Sequence, residues 1–227
     1  MDGRLTREEL SLLLAGHGRL YSEQLGIRLD GLDRDQLFRW FLASLLFGAR
    51  IFESVASRTY EAFVDHRLVT PALLAKADFL ELLQIMAEGG YVRYDNITSR
   101  KVQQAAAKLI AEYGGDLNNL HAAASGPRDL EARLQAFKGV GQTTAGIFLR
   151  ELRGLWLKAD PPLGGIALLA AGHLGVDDPP GFWRANAVAG YDFRHFEAAL
   201  TRVGRGYCRR GRCERAPIPH SPEAASG

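Results

Sequence analysis

Residues 134–148 read LQAFKGVGQTTAGIF, and no other stretch limits the fold of this chain so sharply. An apolar helical end runs from Leu134 to Phe137 into Gly139-Val140-Gly141, and a second apolar helix begins at once behind Thr143 and Thr144. Two glycines around one valine leave no room for a long loop, so the spacing predicts two helices joined by a tight turn. Glycine tolerates positive φ there, and its missing side chain leaves backbone N–H groups uncovered at the second helix start. Those N–H groups point outward and the helix dipole favours an anion, so such a turn can hold a phosphate.

A chain of 227 residues that is 47% hydrophobic can bury a real core as one domain or two small ones. No apolar run approaches the eighteen residues of a membrane span, and the first residues are charged, unlike a signal peptide. The expectation is a soluble, cytoplasmic protein with no membrane partner, nucleoid-associated if bacterial. Two cysteines make neither a disulfide framework nor a tetrahedral metal site. A net charge of +2 does not by itself argue for nucleic acid, but its distribution does. Six arginines (202, 205, 209, 210, 212 and 215) face one acid, Glu214, near the carboxy end. That cluster reads as a phosphate footprint or as a solubilising tail.

Apolar periodicity predicts helices throughout, so the fold class is all-α. Thr6-x-x-Glu9 is a capping-box pattern before Leu10 to Leu14. Further helices are expected from Asp35, over 51–64, after Thr70-Pro71, over 79–87, and over 100–113 with a stop at Gly114-Gly115. A polar link over 116–127 precedes the paired helices at 130–137 and 144–152. Helices over 161–174 and 193–203 complete the pattern. Trp40 and Trp156 read as core residues on apolar helices. His195, beside Phe196, needs no catalytic role.

The pattern LxxFKGVGxxTA, preceded by AxxLIAEYGG at Ala106 to Gly115, resembles the helix-hairpin-helix DNA glycosylases, the endonuclease III and MutY-like superfamily, over about 30–218. The resemblance implies two helical lobes clasping duplex DNA, with a base flipped out for chemistry at its glycosidic bond. It assigns 35–125 to a central lobe, and 1–34 plus 126–227 to a second lobe containing the hairpin and the basic end. The hairpin residues Lys138, Gly139, Val140, Gly141, Gln142 and Thr144 would hold backbone phosphates together with Arg209, Arg210 and Arg212. A monovalent cation on hairpin carbonyls is also implied. Double-stranded DNA is the expected partner of a monomeric protein.

Three signatures of that family are altered here. Members that also cut the backbone carry a lysine where this chain has Thr143, whose hydroxyl cannot form an iminium. Lys138 reads as a phosphate contact before it reads as a substitute nucleophile. The family's aspartate, which stabilises positive charge on the sugar, aligns with Asp160 in A-D-P-P-L. Asp160-Pro161 is equally a helix cap and first turn, and a gap-free count back from His173 selects Gly164 instead. The third signature, four cysteines for an iron–sulfur cluster, is reduced to Cys208 and Cys213, so no cluster is expected. His220 and Glu214 offer only a weak zinc alternative beside them, and no metal or other cofactor is expected.

The resemblance places a gap-filling residue near Ala49, where Arg50 can reach, and lines the pocket with Tyr91, Tyr94 and Thr143. Asp95 is a second acid without a fixed direction. The leading expectation is a monofunctional DNA glycosylase of the base-excision-repair type, hydrolysing an N-glycosidic bond through Asp160. The alternatives are a non-catalytic DNA-binding or damage-sensing protein on the same frame, and an all-α protein whose hairpin contacts another protein.

Overall fold

Among the described residues, seven helices start on an oxygen-bearing side chain that accepts a first-turn N–H: Thr6, Asp33, Thr70, Asp78, Asp116, Asp178 and Asp192. Each has a short polar side chain that satisfies a donor no helix can satisfy internally. The capping box at Thr6 is complete, with the Glu9 carboxylate accepting from the Thr6 N–H at 2.8 Å. A computed structural model describes residues 5–49, 51–93 and 95–211. It is all-helical, 66% helix, with no strand among the described residues. A single bridge joins Arg153 and Trp156.

The chain divides into two units, Leu25–Pro161 and the pair of segments Met1–Gln24 and Pro162–Gly227. The second unit holds α1 (Arg7–His17), α2 (Tyr21–Gln24), α11 (Gly165–His173), α12 (Pro179–Asn186) and α13 (Phe193–Gly206). The larger holds α3 (Arg34–Phe47), α4 (Glu53–Asp65), α5 (Pro71–Lys76), α6 (Phe79–Glu88), α7 (Asp95–Tyr113), α8 (Leu117–Ala123), α9 (Pro127–Gln135) and α10 (Gln142–Arg150).

Within the larger unit α3 is buried almost all round, with Leu37, Phe38, Trp40, Phe41, Leu42, Leu45 and Leu46 in the core. A helix apolar on every side belongs at the centre of a bundle, and α3 packs on α4, α7, α8 and α10. The Phe41 ring meets Phe137 and Phe148 edge-on, at 5.4 and 5.5 Å between centroids. The Trp40 Nε1–H donates to the Phe148 carbonyl at 3.0 Å. These contacts tie the hairpin helices α9 and α10 to α3, whereas the sequence-based division grouped them with the two chain ends. The segment expected to be a polar link over 116–127 contains α8, started by the Asp116 carboxylate. Trp156 is in the core as expected but lies past α10, outside any helix; its ring stacks on His121 at 4.7 Å and its Nε1–H reaches Asn118 Oδ1 at 3.2 Å.

In the second unit α13 packs against α11 and α1. Gly204 is required there, because a Cβ would collide with the Ile166 carbonyl. The Phe196 ring lies between Trp183 and Phe182, each at 5.8 Å. Asp192 starts α13 and gathers charge. Burial pushes its carboxyl up, but the hydrogen bonds and charges of His195 and Arg194 outweigh that and hold it well below the usual range. The hydrogen bond to Asp192 raises the pKa of His195 against burial, with the charges of Asp192 and Glu23 adding to it. His195 Nδ1 lies 3.0 Å from Asp192 Oδ1 and 3.1 Å from the Asp192 nitrogen. Protonated, the ring donates to the carboxylate; neutral at Nδ1, it accepts the N–H instead.

The raised His195 pKa stabilises the fold fully below the unfolded value of about 6.5 and is lost as pH rises through the folded value. Thermal melts should therefore show the wild type falling towards His195→Gln between pH 6 and pH 8.5, with the variant flatter over that interval. A parallel fall in both proteins would remove the ion pair from the account.

Candidate nucleic-acid interface

The hairpin turn is built by alternation of side chains. Phe137 and Val140 are buried, while Lys138 and Gly139 between them are exposed. The Val140 N–H donates to the Phe137 carbonyl at 3.0 Å, closing a four-residue turn. Gly139 occupies its third position with φ of 91°, the left-handed value that a type II turn demands there. Gly141 follows in extended conformation as the N-cap of α10 and offers no capping side chain. The first-turn N–H groups at Gln142, Thr143 and Thr144 therefore have no side-chain acceptor from the cap position. Gln142 and Thr143 are exposed beside them. A positive helix end and donors without a capping side chain follow directly on an exposed lysine, Lys138, an arrangement suited to an oxyanion.

Two glycines let neighbouring helices close on this turn. Gly48, just past α3, leaves space for the Thr144 hydroxyl, with which a Cβ would collide. Gly139 leaves space for Lys101 of α7, whose Cδ would lie 2.7 Å from a Cβ there. Between these contacts is a cavity of about 70 Å³, lined in part by Gly48, Ala49, Tyr91, Thr98, Lys101 and Gly139. The Tyr91 hydroxyl and Thr98 Oγ1 are 3.0 Å apart. Burial raises the Tyr91 pKa against the Thr98 hydrogen bond that lowers it, so the phenol is neutral at physiological pH.

Several expected site residues fall elsewhere. Tyr91 lines the cavity, but its ring is 1% exposed and cannot stack on a base without moving. Thr144 is buried against Gly48, so its side chain is a packing element, and only its backbone N–H belongs to the open helix start. Thr143 is exposed beside the turn. Arg50, Tyr94, Arg212 and Cys213 lie outside the described residues. Arg209 and Arg210 are exposed on a short turn of 3-10 helix after α13. Arg202, counted with them in the sequence, is committed to structure. Its guanidinium covers the Tyr21 ring at 4.1 Å and donates to the His17 carbonyl at 2.6 Å.

Asp160 does not cap a helix. The helix expected at 161 begins at Gly165, and its N-cap is Gly164. Gly164, the position selected by the gap-free count, therefore stands at the helix start and brings no carboxylate. Asp160 is instead ion-paired through Oδ1 to Arg153, which also donates to the Pro161 carbonyl at 2.6 Å. Its side chain is 73% exposed. Asp95 starts α7, and its carboxylate accepts from the Asn96 N–H at 2.6 Å, a local contact.

Cys208 is buried, and two thiolates do not suffice for an iron–sulfur cluster. Among the described residues no group of three or more His, Cys, Asp or Glu side chains is placed to hold a metal. No helix among them is long and apolar enough to cross a membrane. Compared with models of known families, with curated proteins and with solved structures, the chain gives no match.

Sequence reasoning missed Lys101, Thr98 and Gly48. Thr98 and Lys101 share a face of α7 at i,i+3 spacing, which is visible in the sequence. Their meeting with Gly139 is long-range and has no local signal. Gly48→Ala should destabilise the protein by about 1–3 kcal/mol through overpacking. Thr144→Ala in the same chain should return part of that loss, seen as a favourable coupling in a denaturant double-mutant cycle. Additive losses would place the two side chains apart.

Proposed function

We propose that this chain is a duplex-DNA-binding protein of the base-excision-repair type, on a frame like that of the helix-hairpin-helix glycosylases. The observation that carries the reading is the uncapped start of α10 behind a glycine turn, with the Lys138 ammonium exposed beside it. Backbone N–H groups position a phosphate without reading sequence, and lysine adds a charge that holds it. Arg209 and Arg210 supply further cations for a polyanion. In this reading the protein acts as a cytoplasmic monomer and recognises damaged or mismatched DNA. The monovalent cation implied by the resemblance would rest on main-chain carbonyls of residues 137–141, of which that of Phe137 already accepts the Val140 N–H.

A second reading adds catalysis: Asp160 stabilises positive charge on the sugar of a flipped nucleotide while water displaces the base. Its support is an accessible carboxylate oriented by Arg153. Against it, the Arg153 guanidinium offsets much of the carboxylate field that an oxocarbenium-like centre would feel. The helix start where the family holds its acid is Gly164 here. Binding and damage recognition without hydrolysis is therefore the reading that the geometry favours.

Duplex binding should weaken linearly in log K against log salt, and Lys138→Ala should lower that slope by about one. Base release would be followed on duplexes with a panel of damaged and mismatched bases, using hot alkali to reveal abasic sites. No product is expected. Alkali-dependent cleavage that Asp160→Asn abolishes would establish the hydrolytic reading instead. No salt-dependent binding at all would sink both and leave the hairpin as a protein-contact element.

A further inference from the structure

The cavity behind the hairpin turn has a composition that the hairpin reading does not use. Among the described residues its lining includes one basic residue, Lys101, and no acidic one. Lys101 has no ion-pair partner among the described residues, and it is half-buried. Its aliphatic stem runs across Gly139, with Cβ, Cγ and Cδ all between 2.7 and 3.1 Å of where a Cβ on that glycine would sit. Gly139 is therefore glycine for two reasons, its left-handed backbone and the passage of this side chain. The stem is held against the turn, which limits the entropy lost when the ammonium is engaged.

The other polar lining is the Tyr91–Thr98 hydroxyl pair. Two hydroxyls bonded to each other use one hydrogen and leave one free to donate. The cavity thus offers an ammonium and a hydroxyl hydrogen, both donors. Its volume of about 70 Å³ is several times the roughly 10–15 Å³ that admits one water, room for a small oxyanion group.

We propose that Lys101, with the Tyr91–Thr98 pair, forms a phosphate subsite beneath the hairpin turn, separate from the backbone donors of α10. This rests on the DNA-binding reading for the source of the phosphate, a phosphate ester of the bound strand. Free phosphate shares the same chemistry and is the other source to separate. Lys101 is a binding residue supplied by α7, and the hairpin contributes its passage through Gly139.

The test uses the full chain. Lys101→Met keeps the stem on Gly139 and removes the charge, Lys101→Arg keeps the charge, and Thr98→Val removes one hydroxyl. Duplex affinity would be measured across a salt series, with thermal melts of every variant and the ³¹P line width of inorganic phosphate in parallel. Lys101→Met should lower the salt slope by about one and weaken binding about tenfold at 0.1 M salt, and Lys101→Arg should restore most of it. Thr98→Val should weaken binding about two- to threefold with the slope unchanged and melt lower, since it leaves the buried Tyr91 hydroxyl unpaired, and the two Lys101 variants should melt near the wild type. A loss in the duplex series with an unbroadened phosphate line assigns the strand as the source. Broadening that Lys101→Met removes shows that the site also takes free phosphate. Wild-type slope and affinity in Lys101→Met, with no phosphate broadening, would overturn the proposal and leave Lys101 as a packing strut. If the wild type binds no duplex, the DNA reading fails on its own and the phosphate line alone decides the subsite.

Discussion

The docking of α10 on α3 is the interaction on which the candidate interface depends. A turn hydrogen bond such as that from Val140 to Phe137 contributes only about 0.5–1.5 kcal/mol and cannot hold four residues against the entropy of an open loop. Burial of Phe137 and Phe148 against Phe41 contributes about 1.5–3 kcal/mol for each ring. The Trp40 N–H on the Phe148 carbonyl fixes the register, and Gly48 lets the first turn of α10 approach. With Phe137 and Val140 held inward, Lys138 and Gly139 have only the outward side available. The exposed donors are thus a consequence of apolar packing two layers below them.

Charge in this protein divides by use. Arg202 is spent on the Tyr21 ring and helix-end carbonyls, and Arg153 on Asp160 and the Pro161 carbonyl. Asp192, Arg194 and His195 form a network at the start of α13 that orders its own unit. Lys138, Arg209 and Arg210 are exposed, and Lys101 meets no carboxylate among the described residues of the cavity it lines. A count of basic residues cannot make that distinction, because the same guanidinium serves an aromatic face, a carbonyl or a phosphate equally well.

Helix content was legible because capping chemistry is local. Thr6 with Glu9, Thr70 before Pro71, and Gly114-Gly115 after Tyr113 each act within a few residues of their own position. The shorter helices α2, α8 and α12 were hidden, since one or two turns carry too little periodicity. Asp160-Pro161 shows the opposite failure. It has the residues of a helix start, yet Asp160 is drawn to Arg153, and α11 begins four residues later than Pro161.

The amino-acid order alone determined that this chain is helical and that a tight glycine turn at 139–141 separates two apolar helices. Both follow from backbone sterics and from hydrogen bonds that close within four residues. Only the tertiary structure decided which donors stay open, that Thr144 faces Gly48, that Lys101 crosses Gly139, and that Asp160 is tied to Arg153. The first three depend on how elements distant in sequence fill shared volume. The long-range pairings, Gly48 with Thr144 and Lys101 with Gly139, leave no periodic trace in the chain, and the short step from Arg153 to Asp160 is set by a turn that periodicity does not describe.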